Sequence, residues 1–186
     1  MKPQSFVIVL LFGILFLGVT VYAQDSGPRV PYVQRDICPF ECCQYGQWTA
    51  RSQLKVYKQE GASSIVTFTI KPGEQFTALT GSIHTKPGIA VINNSFDQFI
   101  KGDKVYILSY RGEGAYDLWY KGKEINLDLN KLDVLWSSSE WIQDPQMTWW
   151  VLIENKQGRK GWLKLKNISE GGFRTEEQIN GWDSCS

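Results

Sequence analysis

The stretch Trp149-Trp150-Val151-Leu152-Ile153, the polar turn Asn155-Lys156-Gln157-Gly158-Arg159 and the run Gly161-Trp162-Leu163-Lys164-Leu165 decide the fold class. Two runs of aromatic and aliphatic residues flanking a short glycine-containing turn read as a β-hairpin. Upstream lie Leu54-Lys55-Val56-Tyr57, Ile65-Val66-Thr67-Phe68-Thr69-Ile70, Gln75-Phe76-Thr77-Ala78-Leu79 and Ile89-Ala90-Val91-Ile92. In these runs apolar residues alternate with polar ones, and Lys71-Pro72-Gly73-Glu74 and Lys86-Pro87-Gly88 supply turns between them. Short period-two segments at this spacing indicate an all-β sandwich or barrel.

The pattern also repeats. Ile70-Lys71-Pro72-Gly73-Glu74-Gln75-Phe76-Thr77-Ala78-Leu79 aligns with Ile100-Lys101-Gly102-Asp103-Lys104-Val105-Tyr106-Ile107-Leu108, with one residue of slack at Pro72. Two copies are too few for a solenoid, so the repeat points to a pair of small barrels. Farther along, residues 115–135 read as a strand pair around Lys121-Gly122-Lys123, although Leu127, Leu129, Leu132 and Leu135 fit neither period. Residues 137–146 read as a loop. Thr175-Glu176-Glu177-Gln178 before Ile179, with Gly181 beyond it, has the form of a capped helical turn.

Trp149-Trp150-Val151 followed by Gly158-Arg159-Lys160-Gly161-Trp162-Leu163 resembles the closing hairpin of bacterial SH3-like domains. Gly102-Asp103-Lys104-Val105-Tyr106-Ile107-Leu108 resembles an earlier glycine-acid-strand element of the same family. The resemblance covers roughly residues 99–166, with an insertion at 112–147. The first copy, residues 48–96, shares only the opening strands and Gly73-Glu74. The resemblance implies two SH3-like barrel units in tandem, of the kind carried by exported envelope proteins and associated with binding of peptides or cell-wall material. Arg111-Gly112-Glu113-Gly114-Ala115-Tyr116 falls where such a domain carries its specificity loop. Arg111 and Glu113 could set ligand polarity there, and an ordinary solvated turn is the alternative.

Composition and charge narrow the options. With 20 basic and 19 acidic residues the net charge is +1, which excludes a phosphate-neutralising nucleic-acid binder and a polybasic membrane-surface protein. A content of 42% hydrophobic residues is core material for a folded chain. Lys2, the apolar run from Phe6 to about Tyr22 and the small residues of Val21-Tyr22-Ala23 form a secretory signal covering residues 1–23. Cleavage after Ala23 leaves a soluble secreted or periplasmic protein with no integral membrane segment. An uncleaved anchor is the competing reading, because the run approaches the ~20 residues that span a bilayer.

Export makes Cys38, Cys42, Cys43 and Cys185 a disulfide framework. Cys38 should pair locally, with Cys42 or Cys43. The remaining bridge should join Cys185 in the 167–186 tail to the 24–47 arm, closing a loop worth about 4–5 kcal/mol. A zinc site would need a Cys-x-x-Cys knuckle, which Cys38-x-x-x-Cys42-Cys43 lacks.

Catalytic signals are sparse. His84 is the only histidine and reads as a surface residue at a strand end, and oxidised cysteines supply no thiolate. Glu113, Asp117, Glu140 and Asp144 lie near aromatic residues, as a glycan cleft requires, but no spacing selects a pair. Phosphate and dinucleotide loops are missing. Asp128-Leu129-Asn130 lacks the later residues of a calcium loop, so no cofactor or metal is expected.

The aromatic residues are the main candidates. Six of eight tryptophans fall between 119 and 162. Strand alternation turns Trp149 and Trp150 to opposite faces. With Trp150 packed inward beside Leu152, Trp149 would lie outside and form a platform with Tyr110, Trp119 or Trp141. The alternative places it under the insertion or against the other copy. The sequence therefore indicates an exported, non-catalytic module that binds a peptide or cell-wall component through an aromatic face. A structural or protein-partner role in the envelope, with the tryptophans buried between units, is the alternative. A small glycan hydrolase is the second.

Overall fold

The computed structural model describes residues 26–39, 42–112, 115–127, 129–169, 172–173 and 178–183. In chain order they form β1 (Tyr32–Arg35), β2 (Gly46–Ala50), β3 (Leu54–Gln59), β4 (Ala62–Ile70), β5 (Gln75–Lys86), β6 (Gly88–Ile92) and β7 (Lys104–Gly112). These are followed by β8 (Ala115–Tyr120), β9 (Lys123–Asn126), the helix α1 (Leu129–Ser137), β10 (Ser139–Gln143), β11 (Gln146–Asn155), β12 (Lys160–Ser169), β13 (Gly172–Phe173) and β14 (Ile179–Asn180). Among the described residues the protein is all-β apart from this helix.

Two antiparallel sheets share one plan. The larger runs β14-β2-β5-β11-β12-β3-β4, and the smaller runs β10-β6-β7-β8-β9. Set aside the β3–β4 hairpin, β1 on β5 and β13 on β12, and each sheet places its fifth strand in sequence beside its first, then continues first, second, third, fourth. The turns entering the second strands match as well. Gly73 N–H donates to Ala50 O at 2.7 Å, and Gly102 N–H donates to Ile92 O at 2.8 Å. Ala50 N–H donates to Glu74 O and Ile92 N–H to Asp103 O, both at 3.0 Å. Gly73 and Gly102 have φ of 83° and 89°, a left-handed conformation that glycine adopts without steric cost.

The two sheets are nested along the chain, not in tandem. β11 pairs with β5 from Gln146↔Lys86 to Asn155↔Phe76, and β12 reaches β3 at Trp162↔Tyr57 and Leu163↔Val56. The hairpin expected to close a unit at 99–166 thus completes the sheet begun at 48–86, and the boundary expected between 48–96 and 99–166 is crossed. The insertion expected at 112–147 is instead the whole smaller sheet, residues 88–143, placed between β5 and β11. Gly161 permits the closing contact. A Cβ there would stand 2.6 Å from the Val56 side chain and 2.9 Å from Tyr57 O.

Each sheet has its own core. Trp48, Val56, Phe76, Ile83, Trp149, Val151, Ile153 and Leu165 belong to the first cluster. Ile92, Phe99, Val105, Ile107, Leu118, Leu132 and Leu135 belong to the second. Burying a large aliphatic or aromatic side chain contributes about 1.5–3 kcal/mol, so each cluster can support its own sheet.

Local readings also change. Leu132 and Leu135, which matched neither period, are the buried pair of α1, three residues apart on one face. Residues 139–143, expected as loop, form β10 and pair with β6 as an edge strand. Of the expected helical turn, Thr175, Glu176 and Glu177 lie outside the described residues, and Ile179–Asn180 pairs with β2 as strand.

Residues 26–35 lie against the smaller sheet before β1 joins the larger one. Trp119 Nε1–H donates to Ser26 O at 3.1 Å, and Tyr32 Oη–H to Glu124 at 3.0 Å. β1 then pairs with β5 from Tyr32↔Thr85 to Arg35↔Ser82. Cys38 and Cys43 form a disulfide with Cα atoms 5.6 Å apart, one of the two local pairings left open by the sequence. Cys42 is also disulfide-bonded, and Cys185 lies outside the described residues. No helix among the described residues is long and apolar enough to cross a membrane.

Candidate functional site

The tryptophan expected on the surface is at the centre of a core. Trp149 is fully buried, with its ring 5.6 Å from Trp48 and 6.2 Å from Tyr45. Trp150, on the opposite face of β11, is buried too. It packs against Tyr57 at 5.8 Å and His84 at 6.2 Å, with Lys164 Nζ 5.8 Å above its ring. Alternation sends the two side chains to opposite faces as expected. Both become core because side chains from β3, β5 and β12 cover the second face. A platform containing Trp149 is therefore corrected to a packing role.

Two other expected residues come together, through two that were not singled out. Tyr110 on β7 meets Tyr116 on β8 edge-on at 5.3 Å. Tyr116 contacts Trp136, at the end of α1, at 5.8 Å and Trp141, on β10, at 6.3 Å. Trp136 and Trp141 lie 4.9 Å apart. Tyr116 and Trp136 are half-buried against the second core, while Trp141 keeps 38% of its surface exposed. The neighbouring Ile142 is exposed as well. Trp136 was legible only once the helix was drawn, since it stands four residues after Leu132 and so on the same face.

Trp119 is separate from this group. Odd and even positions of β8 face opposite ways, so Trp119 and Asp117 point away from Tyr116 and lie against the 26–35 segment. The side chain of Arg111 and all of Glu113 lie outside the described residues.

Two of the four candidate carboxylates, Asp117 and Glu140, stand on strands that are not neighbours. Asp117 is buried and accepts a hydrogen bond from Gln34 Nε2 at 2.6 Å. It stands on β8, whereas Glu140 is on β10, with β6 and β7 between them. At about 4.8 Å per strand this places their backbones roughly 14 Å apart along the sheet. Among the described residues, no group of three or more His, Cys, Asp or Glu could hold a metal.

One polar cluster escaped the sequence reading. His84 is not a surface histidine, since its side chain is only 16% exposed and its Nε2 lies 2.7 Å from Glu60 Oε1. Ser82 Oγ donates to the same oxygen, and Arg35 Nη1 donates to Glu60 Oε2 at 2.8 Å. The serine and histidine both address the carboxylate and not each other, so this is no nucleophile–base pair. It fastens the tip of the β3–β4 hairpin to β5 and β1. The nearby Gly61 has φ of 74°, and a Cβ there would meet His84 Cε1 at 3.0 Å.

Burial pushes the Glu60 carboxyl up, but the bonds from His84, Ser82 and Arg35 outweigh it and hold the group below its ordinary value of 4.5. A carboxyl depressed in the folded state adds stability above its unfolded value, and that stability is lost as pH falls through the folded value. Thermal unfolding followed from pH 6 to pH 3 should therefore show a loss of Tm in the wild type that is smaller in Glu60→Gln. Equal slopes for the two proteins would remove this role.

No protein-family model, curated protein or solved structure matches the chain.

Proposed function

We propose that the protein is an exported, non-catalytic binding module that takes a peptide or a cell-wall fragment on the Tyr116–Trp136–Trp141 cluster. One observation carries the reading: Trp141 remains 38% exposed although its ring is packed against a second tryptophan. A preformed aromatic surface of this kind needs little ordering to stack on a proline or sugar ring. The SH3-like resemblance supports the same class of role. In our reading it extends to both sheets, one unit nested in the other, because the two share the five-strand order and the glycine turn.

The Cys38–Cys43 disulfide supports an oxidising compartment, and with it a secreted or periplasmic location. We assign the second bridge to Cys42 and Cys185. Gln44 N–H donates to Trp182 O at 2.8 Å, and Cys43 bridges to Asp183, which brings the tail beside the cysteine cluster. Peptide mapping without reduction should recover fragments containing residues 42 and 185 as one species. Their recovery as separate species would sink the assignment.

The binding test is a titration of wild type and Trp141→Ala with soluble wall muropeptides and with proline-containing peptides. Truncating an aromatic hot spot costs about 2 kcal/mol, roughly thirtyfold in Kd. Equal affinities, or no binding by the wild type to either class, would refute the reading. The structural alternative rests on Trp149, whose complete burial makes it packing and not platform.

A further inference from the structure

The other face of the smaller sheet already carries a peptide, the chain's own residues 26–31. Cross-strand pairing aligns Ile89, Tyr106, Trp119 and Glu124 in one row over β6, β7, β8 and β9. The segment meets this row. Ser26 O accepts from the Trp119 indole, and the Gly27 backbone lies so close to Tyr106 that a Cβ would stand 3.1 Å from the phenol ring. Tyr32 reaches Glu124 at the far end. Within residues 26–31 only Pro28 is buried, while Ser26, Gly27, Arg29, Val30 and Pro31 stay exposed.

We infer that the Ile89–Tyr106–Trp119–Glu124 row is a binding groove for an extended peptide carrying a Gly-Pro step, and that residues 26–31 occupy it as a displaceable internal ligand. The contacts give the selectivity. Glycine suits the point where the backbone crosses Tyr106, because a Cβ there would stand 3.1 Å from the phenol ring and the ring would have to give way. Proline is the residue that can be buried at the next position without leaving an unpaired N–H. The indole supplies a donor for the carbonyl preceding the glycine, and Tyr32, held on Glu124, marks the end of the groove. The segment is also lightly held: one proline is sunk, and the continuous backbone pairing begins only at β1. Residues 26–31 could therefore leave while Tyr32–Arg35 stayed in the sheet.

This groove is on the opposite face of β8 from Tyr116, so it stands apart from the proposed Trp141 site. Loss of binding in Trp141→Ala leaves it untouched, and the reverse also holds.

The test uses the full chain and a synthetic peptide, Ser-Gly-Pro-Arg-Val-Pro-Tyr, read through the indole N–H resonance of Trp119, assigned with Trp119→Phe. In the wild type the internal segment competes at an effective concentration in the ~mM range, so the peptide should bind weakly. Gly27→Val, which drives the segment off Tyr106, should bind it at least tenfold more tightly and return the indole resonance to its wild-type position. Were Gly27→Val misfolded, titrating the wild type with the peptide at several millimolar while following exchange of the Trp119 indole proton gives the same answer. An indole resonance unmoved by peptide in the variant and the wild type would overturn the proposal. So would concentration-dependent dimerisation of the variant without peptide binding, which would make the occupant a second copy's arm.

Discussion

Alanine in place of Trp149 will lower the free energy of unfolding by about 3–5 kcal/mol, the range for deleting a fully buried large aromatic ring. Against a total of about 5–15 kcal/mol for a domain, that loss alone can bring the protein close to unfolding at ambient temperature. The reason lies in what the ring touches. Trp149 packs edge-on against Trp48 and tilted against Tyr45, and Trp48 in turn packs against Phe76 at 6.1 Å. These residues come from β2, β5, β11 and the loop before β2, so the cavity would open where the strands bounding the insertion meet. Trp141→Ala, at the edge of the smaller sheet, should cost about 1 kcal/mol or less, because the ring already faces water on one side. Urea unfolding of both variants tests the contrast: a large fall in midpoint for Trp149→Ala at unchanged m, and a small one for Trp141→Ala. Comparable losses would mean that Trp149 is not central to the core and that the exposed cluster is a packing element.

The same two residues show how far the sequence could be read. Features set by local chemistry were legible: the β11–β12 hairpin around Asn155–Arg159 and the turns at Gly73 and Gly102. The partner of each strand was not. β11 has β12 on one side through a short turn, but on the other it has β5, which ends sixty residues earlier in the chain. No periodicity encodes that distance. A chain whose smaller sheet is inserted between β5 and β11 of the larger reads, along its length, much like two sheets end to end. The burial of Trp150 was hidden for a related reason. Alternation separates two faces but does not say whether both are covered, and here Tyr57, His84 and the Lys164 stem cover the second. His84 looked exposed because Glu60, its partner, lies 24 positions away at the tip of another hairpin. The aromatic cluster was half legible. Tyr110 and Trp141 were singled out by type, whereas Tyr116 and Trp136 needed the helix and the register of β7 against β8.

Gly81→Ala will be as damaging as many large-to-small changes in the core, although it adds only one methyl group. A Cβ at this position would stand 2.5 Å from Tyr45 Oη, 2.6 Å from Trp149 Nε1 and 2.8 Å from the backbone oxygen of Trp150. The first two neighbours are themselves pinned. Tyr45 Oη–H donates to Ile37 O at 2.6 Å beside the Cys38–Cys43 disulfide, and Trp149 is enclosed by the core. The third belongs to the β11 backbone, where Trp150 is registered opposite Ser82 and Val151 opposite Gly81. None can retreat without breaking a strand pairing or the hydrogen bond that holds the cysteine loop. Overpacking of well-filled sites costs about 1–3 kcal/mol, and more when backbone must move, so a loss of about 3 kcal/mol is expected. The effect should also spread in a recognisable direction. Amide exchange should speed up in residues 37–45 as well as in β5 and β11, because Tyr45 couples them, while α1 and β6–β9 of the nested sheet keep their protection. Uniform acceleration across both sheets would mean that the two cores open as one unit, and that the smaller sheet depends for its stability on the sheet that encloses it in sequence.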